Sequence, residues 1–308
     1  MRKMKFNKLF VLMCLAGVSL SSNAATVLWE GQSPIDITTA NVQKVANNAV
    51  IQYHYSPEQV QLTNTWDSTG SVAKEWGTLK ASPLSPNLAF NSYVTVNGEK
   101  YQLAQFHFHT PSEHKVNGLA ADMEVHLVHL KIHDNGQPYC IGEPQSLLVI
   151  GALIKTGARN VELDKIFSRT DLPVDKAAGS VSPITINFGK ILPSNPSSYR
   201  YHGSLTAPTK VDCSSGTNAT NALNGNSLLS TPPTPIEFTN YNSAVADQLR
   251  DASREVDGSF PETVSWVVDT NQITMSAQQI AKFRTLFEGI GNARPPVDLN
   301  GRKVLRMD

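Results

Sequence analysis

The sequence predicts a mainly β domain with small peripheral helices. Three observations lead there. Apolar residues recur with period two over several runs, whereas helical periodicity is confined to a few short stretches. Asn97-Gly98 separates two such runs, and this dipeptide readily takes the positive φ angles of a tight hairpin turn. The segment Leu147-Leu148-Val149-Ile150-Gly151-Ala152-Leu153-Ile154 is continuously apolar, as a strand buried on both faces requires.

In chain order, strands over residues 93–96 and 100–109 flank the Asn97-Gly98 turn. The strand 124–132 ends at Asp134-Asn135-Gly136. The apolar run 147–154 is the central strand, and 184–188 and 264–268 complete the set. Residues 161–167 predict one short helical turn or two. A better helix covers 276–287, because Ser276 and Gln279 have capping-box spacing ahead of an apolar stripe.

The 308 residues carry 26 Lys and Arg against 26 Asp and Glu. Residues 1–24 read as a secretory leader. Arg2, Lys3, Lys5 and Lys8 make a basic start, 9–20 is apolar, and Ser22-Asn23-Ala24 resembles a cleavage site. Cys14 lacks the small preceding residues of a lipidated cysteine. The expectation is an exported protein, periplasmic or secreted, with a single catalytic domain over 25–308. Without the leader, 22 basic groups face 26 acidic ones, a net charge of −4. That balance argues against a nucleic-acid partner. No later stretch is apolar enough to span a membrane.

Cys140 and Cys213 remain after cleavage, and in an oxidising compartment they are expected to form a disulfide, two buried thiols being the alternative. Closing so long a loop contributes about 4 kcal/mol in the chain-entropy picture. Segment 209–262 differs in texture, being rich in Ser, Thr, Asn and Pro. Within it Val245, Leu249, Ala252 and Val256 share a helical face. A segment of this length is a lid, a partner surface or partly disordered.

The chemistry concentrates in two runs. Strand alternation from Tyr101 to His109 puts Gln105, His107 and His109 on one face and Ala104, Phe106 and Phe108 on the other. Glu124, His126 and Val128 share a face of the second run. If the strands are neighbours, three imidazoles converge with Gln105 and Glu124 beside them. Three protein ligands and one open position is the arrangement of catalytic zinc. Any one histidine is more simply a core or surface residue, but the set is not. Glu113, four residues past His109, is a carboxylate suited to accept a hydrogen bond from a hydroxyl. Gln105 and Glu124 are suited to fix ring orientation and tautomer.

Gln105-Phe106-His107-Phe108-His109, Ser112-Glu113-His114 and Glu124-Val125-His126-Leu127-Val128-His129 resemble the α-class carbonic anhydrases. So do Gln32-Ser33-Pro34-Ile35-Asp36-Ile37, Gly203-Ser204-Leu205-Thr206, Asn292-Ala293-Arg294-Pro295 and Asn300-Gly301-Arg302, in the same order. The resemblance implies zinc-dependent, reversible hydration of carbon dioxide to bicarbonate, the work of a lyase. It implies His107, His109 and His126 as zinc ligands. That family is itself the standard example of a zinc-bound water with a pKa of about 7. Thr206 would accept a hydrogen bond from the zinc-bound hydroxide while donating its own to Glu113. Val128, Val149, Leu205 and Trp266 would form the apolar wall for carbon dioxide. The implied fold is a single large, twisted, mostly antiparallel sheet with the metal at the base of a cone.

Several departures stand out. Only Val27-Leu28-Trp29-Glu30-Gly31 represents the family's aromatic-rich opening, so a tyrosine usual there has no counterpart. Asn64-Thr65-Trp66-Asp67 occupies the region of the family's histidine proton shuttle. Asp67 is nearest that place, but an ordinary carboxylate near pKa 4 is a poor shuttle at neutral pH. His54 and His202 are the other candidates, a structural role being the plainer reading of each. Ala207 replaces a common second threonine. The stretch from Thr206 to Trp266 is far longer than the family needs. This insertion, 209–262, would leave the fold at the rim of the implied site, where it would cover the site or meet a second subunit. A Cys140–Cys213 disulfide would pin its base. Two other readings stay open. His107-x-His109 with Glu113 also resembles a cupin motif, in which all three would bind iron or manganese. Alternatively, the chain is a catalytically weak or inactive module of the same fold that binds zinc or a partner.

Overall fold

The computed structural model describes residues 33–45, 51–66, 77–84, 90–133, 146–194, 197–203 and 264–308. The leader 1–24, Asp67, Cys140, Leu205, Thr206, Ala207, Cys213 and the segment 209–262 lie outside the described residues.

The strands are β1 (Asp36–Ile37), β2 (Val42–Val45), β3 (Ile51–His54), β4 (Pro57–Asn64), β5 (Leu79–Ser82) and β6 (Tyr93–Val96). Then come β7 (Glu99–His109), β8 (Lys115–Val116), β9 (Leu119–Ala120), β10 (Met123–Lys131) and β11 (Leu147–Thr156). After helix α1 (Val161–Phe167) follow β12 (Ser180–Asn187), β13 (Ser198–Gly203), β14 (Val264–Asp269) and β15 (Ile273–Met275). Helix α2 (Ala277–Thr285) and β16 (Val304–Met307) close the chain. The mainly β class with small helices is what the periodicity predicts.

Thirteen strands form one sheet, whose main path runs β12-β4-β5-β7-β10-β11-β14-β13-β16-β2. Strands β1, β8 and β9 make a small second sheet. Most ladders of the large sheet are antiparallel, while β11–β14, β11–β15 and β16–β2 are parallel. Local chemistry explains the joints. Asn97 and Gly98 take φ of 54° and 86°, the conformation a two-residue hairpin needs. The Ser276 side chain accepts from the Gln279 backbone while the Gln279 side chain accepts from Ser276, closing the predicted capping box. The apolar run in β11 lies between β10 and β14 and is buried through its first eight residues.

The large sheet separates two cores. Phe106, Phe108, Val125, Leu127 and Ile150 pack with Leu163, Phe167 and Phe283 from the helical side. Val128, Val149, Trp266, Tyr201, Ile35 and Val304 pack on the other. One expectation is corrected here. Ala104 does not share a face with Phe106 and Phe108, since it packs in the second core while Leu103 packs in the first. The cause is a bulge. Val128 pairs with Gln105 but His129 pairs with Leu103, so Ala104 has no partner and the alternation resets.

Candidate metal centre

Strands β7 and β10 are antiparallel neighbours, so the two histidine runs meet. His126 lies opposite His107, and Glu124 opposite His109. Directly opposed residues of adjacent strands share a face, which orders the site into cross-strand rows. One row reads Lys80, His107, His126, Gly151, Val268. The next reads Gln105, Val128, Val149, Trp266, Tyr201. Val128, Val149 and Trp266, three of the residues assigned to a substrate wall, therefore form one continuous ridge beside the histidines. The Trp266 ring stands 4.9 Å from that of His126.

The imidazoles of His107, His109 and His126 bring one ligand atom each to within 4.8 Å of one another. Partners on the far side of each ring assign the tautomers. His107 Nδ1 lies 2.9 Å from Gln105 Oε1, an acceptor, so Nδ1 carries the hydrogen and Nε2 the lone pair. His109 Nδ1 faces two acceptors, the Asn292 carbonyl at 3.3 Å and Glu113 Oε1 at 3.2 Å, which leaves its lone pair on Nε2. That Nε2 is buried with no hydrogen-bond partner. His126 Nε2 lies 3.0 Å from Glu124 Oε1, in ion-pair range though off the hydrogen-bond line, and Nδ1 is left facing inward. Three lone pairs thus converge, with His126 Nδ1 and His107 Nε2 only 3.3 Å apart.

A second cluster, His114, Glu124 and His126, has different chemistry. Glu124 Oε2 accepts from the His114 backbone at 2.9 Å, and Oε1 lies 2.7 Å from His114 Nδ1. Hydrogens account for these contacts, so the cluster orients His126 and is not a second metal site. His114 Nε2 reaches Tyr201 Oη at 2.6 Å, and that hydroxyl donates to Ser33 Oγ at 2.9 Å.

Electrostatics keep the donors neutral and the carboxylates charged. Burial, with the neighbouring histidines, holds His107 well below its ordinary value. Burial likewise lowers His109 to about 4, against the opposing pull of Glu113. Burial alone would raise Glu113, but Arg294, His109 and His126 hold it at about 2. Glu124 is also held well below the usual range, His114 and His126 outweighing the burial that would raise it. The Arg294 guanidinium grips Glu113 through Nε at 3.1 Å and Nη2 at 3.3 Å.

Glu113 thus sits behind His109, committed to Arg294, and belongs to neither metal-binding group. This placement speaks against the cupin-like reading, which needs it as a ligand. Of the shuttle candidates, His54 stacks on Tyr93 at 4.5 Å where β3 pairs with β6. In register it meets Gln102, five residues from His107 and so about 16 Å of strand away. His202 alternates with Tyr201 and is exposed on the side away from the site.

Sequence reasoning left four contributors without a role. Asn292 is buried, accepting from the Thr110 backbone and donating to the Gly77 and Phe108 carbonyls, so its own carbonyl is fixed against His109. Arg294 and Tyr201 act through partners far along the chain. Lys80, buried beside His107, has its pKa lowered by burial to about 8. Alternation in 198–203 groups Tyr199 with Tyr201, but nothing local says which face meets the site.

The model of the eukaryotic-type carbonic anhydrase family matches residues 22–216, more than half of the chain. The chain belongs to that family. It is 27% identical over 277 residues to the carbonic anhydrase of Nostoc sp., covering 89% of this chain and 75% of the relative. It is 27% identical over 299 residues to carbonic anhydrase 1 of Mus musculus, covering 89% and 88%. Among solved structures it resembles the α-carbonic anhydrase of Thermovibrio ammonificans in complex with sulfanilamide. There the TM-score is 0.56, with 28% identity over 90% of this chain and 87% of the other. A hyperthermostable carbonic anhydrase from a hydrothermal vent chimney gives a TM-score of 0.57, with 27% identity over 91% and 88%. The large sheet is therefore the α-carbonic anhydrase fold, and the chain is an enzyme of the carbonic anhydrase family. The carbonic anhydrase match ends at residue 216, inside the segment expected as an insertion, yet β14 and β16 rejoin the same sheet.

Proposed function

We propose that the enzyme holds Zn2+ on His107, His109 and His126 and catalyses the reversible hydration of carbon dioxide to bicarbonate and a proton. The observation that carries this reading is the convergence of three imidazole lone pairs, each ring's other nitrogen turned toward an acceptor behind it. The donor set fits zinc. Two nitrogens about 2.0–2.1 Å from a tetrahedral ion lie about 3.3–3.4 Å apart, and His107 Nε2 and His126 Nδ1 are 3.3 Å apart. When bound, zinc supplies Lewis acidity that makes a water nucleophilic near neutral pH.

The chain's own residues do the rest. Gln105, the Asn292 carbonyl and Glu124 hold the rings. Glu113, kept ionised by Arg294, offers an acceptor to the Thr206 hydroxyl. A hydroxyl whose proton is committed to a carboxylate can only accept, which would aim the nucleophile's lone pair at substrate. Val128, Val149 and Trp266, with Leu205, would seat apolar carbon dioxide. The roles of Thr206 and Leu205 rest on the family resemblance.

Residues 1–24 are proposed as an export leader, and the family match begins only at residue 22. A single domain over 25–308, the insertion 209–262 covering the site or meeting a second subunit, and the Cys140–Cys213 disulfide complete the proposal. Among the described residues no helix is long and apolar enough to cross a membrane.

Stopped-flow hydration assays on wild type and Thr206→Ala, with metal analysis, test the reading. Thr206→Ala should lose about 100-fold in rate, as removal of a positioned polar group does, with zinc near one per chain. A zinc-loaded wild type no faster than buffer would overturn it in favour of the inactive binding module.

A further inference from the structure

Lys80 is 3% exposed and stands in cross-strand register with His107, so its side chain shares the face on which the three lone pairs converge. Its charge is felt by the His107 ring. Among the described residues it makes no hydrogen bond and no ion pair. The two carboxylates of this face are committed elsewhere, Glu113 to Arg294 and His109, Glu124 to His114 and His126. An ammonium on so buried a stem, with no counter-charge among the described residues, is costly, and a divalent metal nearby adds to that cost. The arrangement calls for an anion from solution.

We infer that Lys80 holds the anionic partner of the reaction, bicarbonate, beside the metal centre. The inference rests on the proposed hydration reaction, in which carbon dioxide is neutral and bicarbonate carries a charge. The ridge of Val128, Val149 and Trp266 offers the neutral molecule an apolar surface. In the histidine row beside that ridge, Lys80 offers the product an N–H donor and a positive charge. The cation and the apolar ridge, in neighbouring rows of one face, therefore discriminate between the two forms of the same carbon.

The test uses zinc-loaded wild type, Lys80→Met and Lys80→Arg, with nitrate as a planar monovalent probe that is not turned over. Nitrate binding is read twice at constant ionic strength: as the rise in melting temperature it causes, and as inhibition of carbon dioxide hydration. Lys80→Met should weaken nitrate about ten-fold by both readouts, the loss expected for one charge-assisted hydrogen bond. Lys80→Arg should retain most of the affinity. Nitrate binding within two-fold of wild type in Lys80→Met would overturn the inference. So would a KM for carbon dioxide that rises by the same factor as the nitrate constant, since that reports general loss of the pocket. Should Lys80→Met fail to fold, Lys80→Gln carries the same comparison. Zinc content is measured on every sample, so a failed metal centre is distinguished from a failed anion site.

Discussion

His107 Nε2 and His126 Nδ1 stand 3.3 Å apart, with the N–H groups of both rings turned the other way. Two lone pairs at that distance repel unless a cation sits between them. Substituting any of the three histidines by alanine should therefore lower zinc affinity by more than loss of a supporting residue does. Gln105→Leu and Glu124→Gln should each cost about 10–100-fold, because they free a ring rather than remove a donor. Competition with a chromophoric chelator measures both. Equal affinities in Gln105→Leu and wild type would remove the orienting role of Gln105.

Gly151 faces His126 across β10 and β11, and a β-carbon there would lie 2.7 Å from Glu124 Oε1. That contact is too close for any pair of these atoms to tolerate. Glu124 is fully buried and tied to His114, so it cannot swing clear without losing His126. Gly151→Ala should weaken zinc about ten-fold while far-ultraviolet circular dichroism stays that of the folded chain. Unchanged zinc affinity would mean that Glu124 relaxes freely.

Arg294→Leu should destabilise by about 3–5 kcal/mol, because it leaves Glu113 charged, buried and without its principal partner. Urea unfolding reads this directly. The pH profile adds a sign. Glu113 is lowered from 4.5 to about 2, so its contribution is complete above 4.5 and is lost as pH falls toward 2. In Arg294→Leu the loss should begin at higher pH.

His129 gives a second, separate pH signature. It is buried between Tyr55 Oη at 2.9 Å and the Leu148 carbonyl at 3.2 Å, and burial lowers it from 6.5 to about 4. Between those values the unfolded chain binds a proton that the folded chain refuses, so stability falls as pH falls. The slope from this one group approaches about 1.4 kcal/mol per pH unit. His129→Gln should flatten the urea-derived profile between pH 6.5 and 4 by that amount. An unaltered slope would assign the proton uptake to another group.

Which side chains share a face was legible locally. Gln105, His107 and His109, and likewise Glu124 with His126, project together because an extended backbone alternates its side chains, whatever the rest of the chain does. The Asn97-Gly98 turn and the Ser276–Gln279 cap are local in the same sense, each made by residues within four positions of one another. Ala104 shows where that logic stops, because a bulge is a property of two paired strands and not of either alone.

The amino-acid order by itself determined β6, β7, β10, β11, β12 and β14, the hairpin and two sets of co-facing ligands. Only the tertiary structure decided that β7 and β10 are neighbours, that the Asn292 carbonyl and Arg294 close in behind His109 and Glu113, and that Gly151 leaves room for Glu124. It alone set Lys80 beside His107. The physical reason is range. Alternation and capping act over a few residues, whereas register and burial are settled by contacts between distant segments, His109 and Asn292 being 183 positions apart.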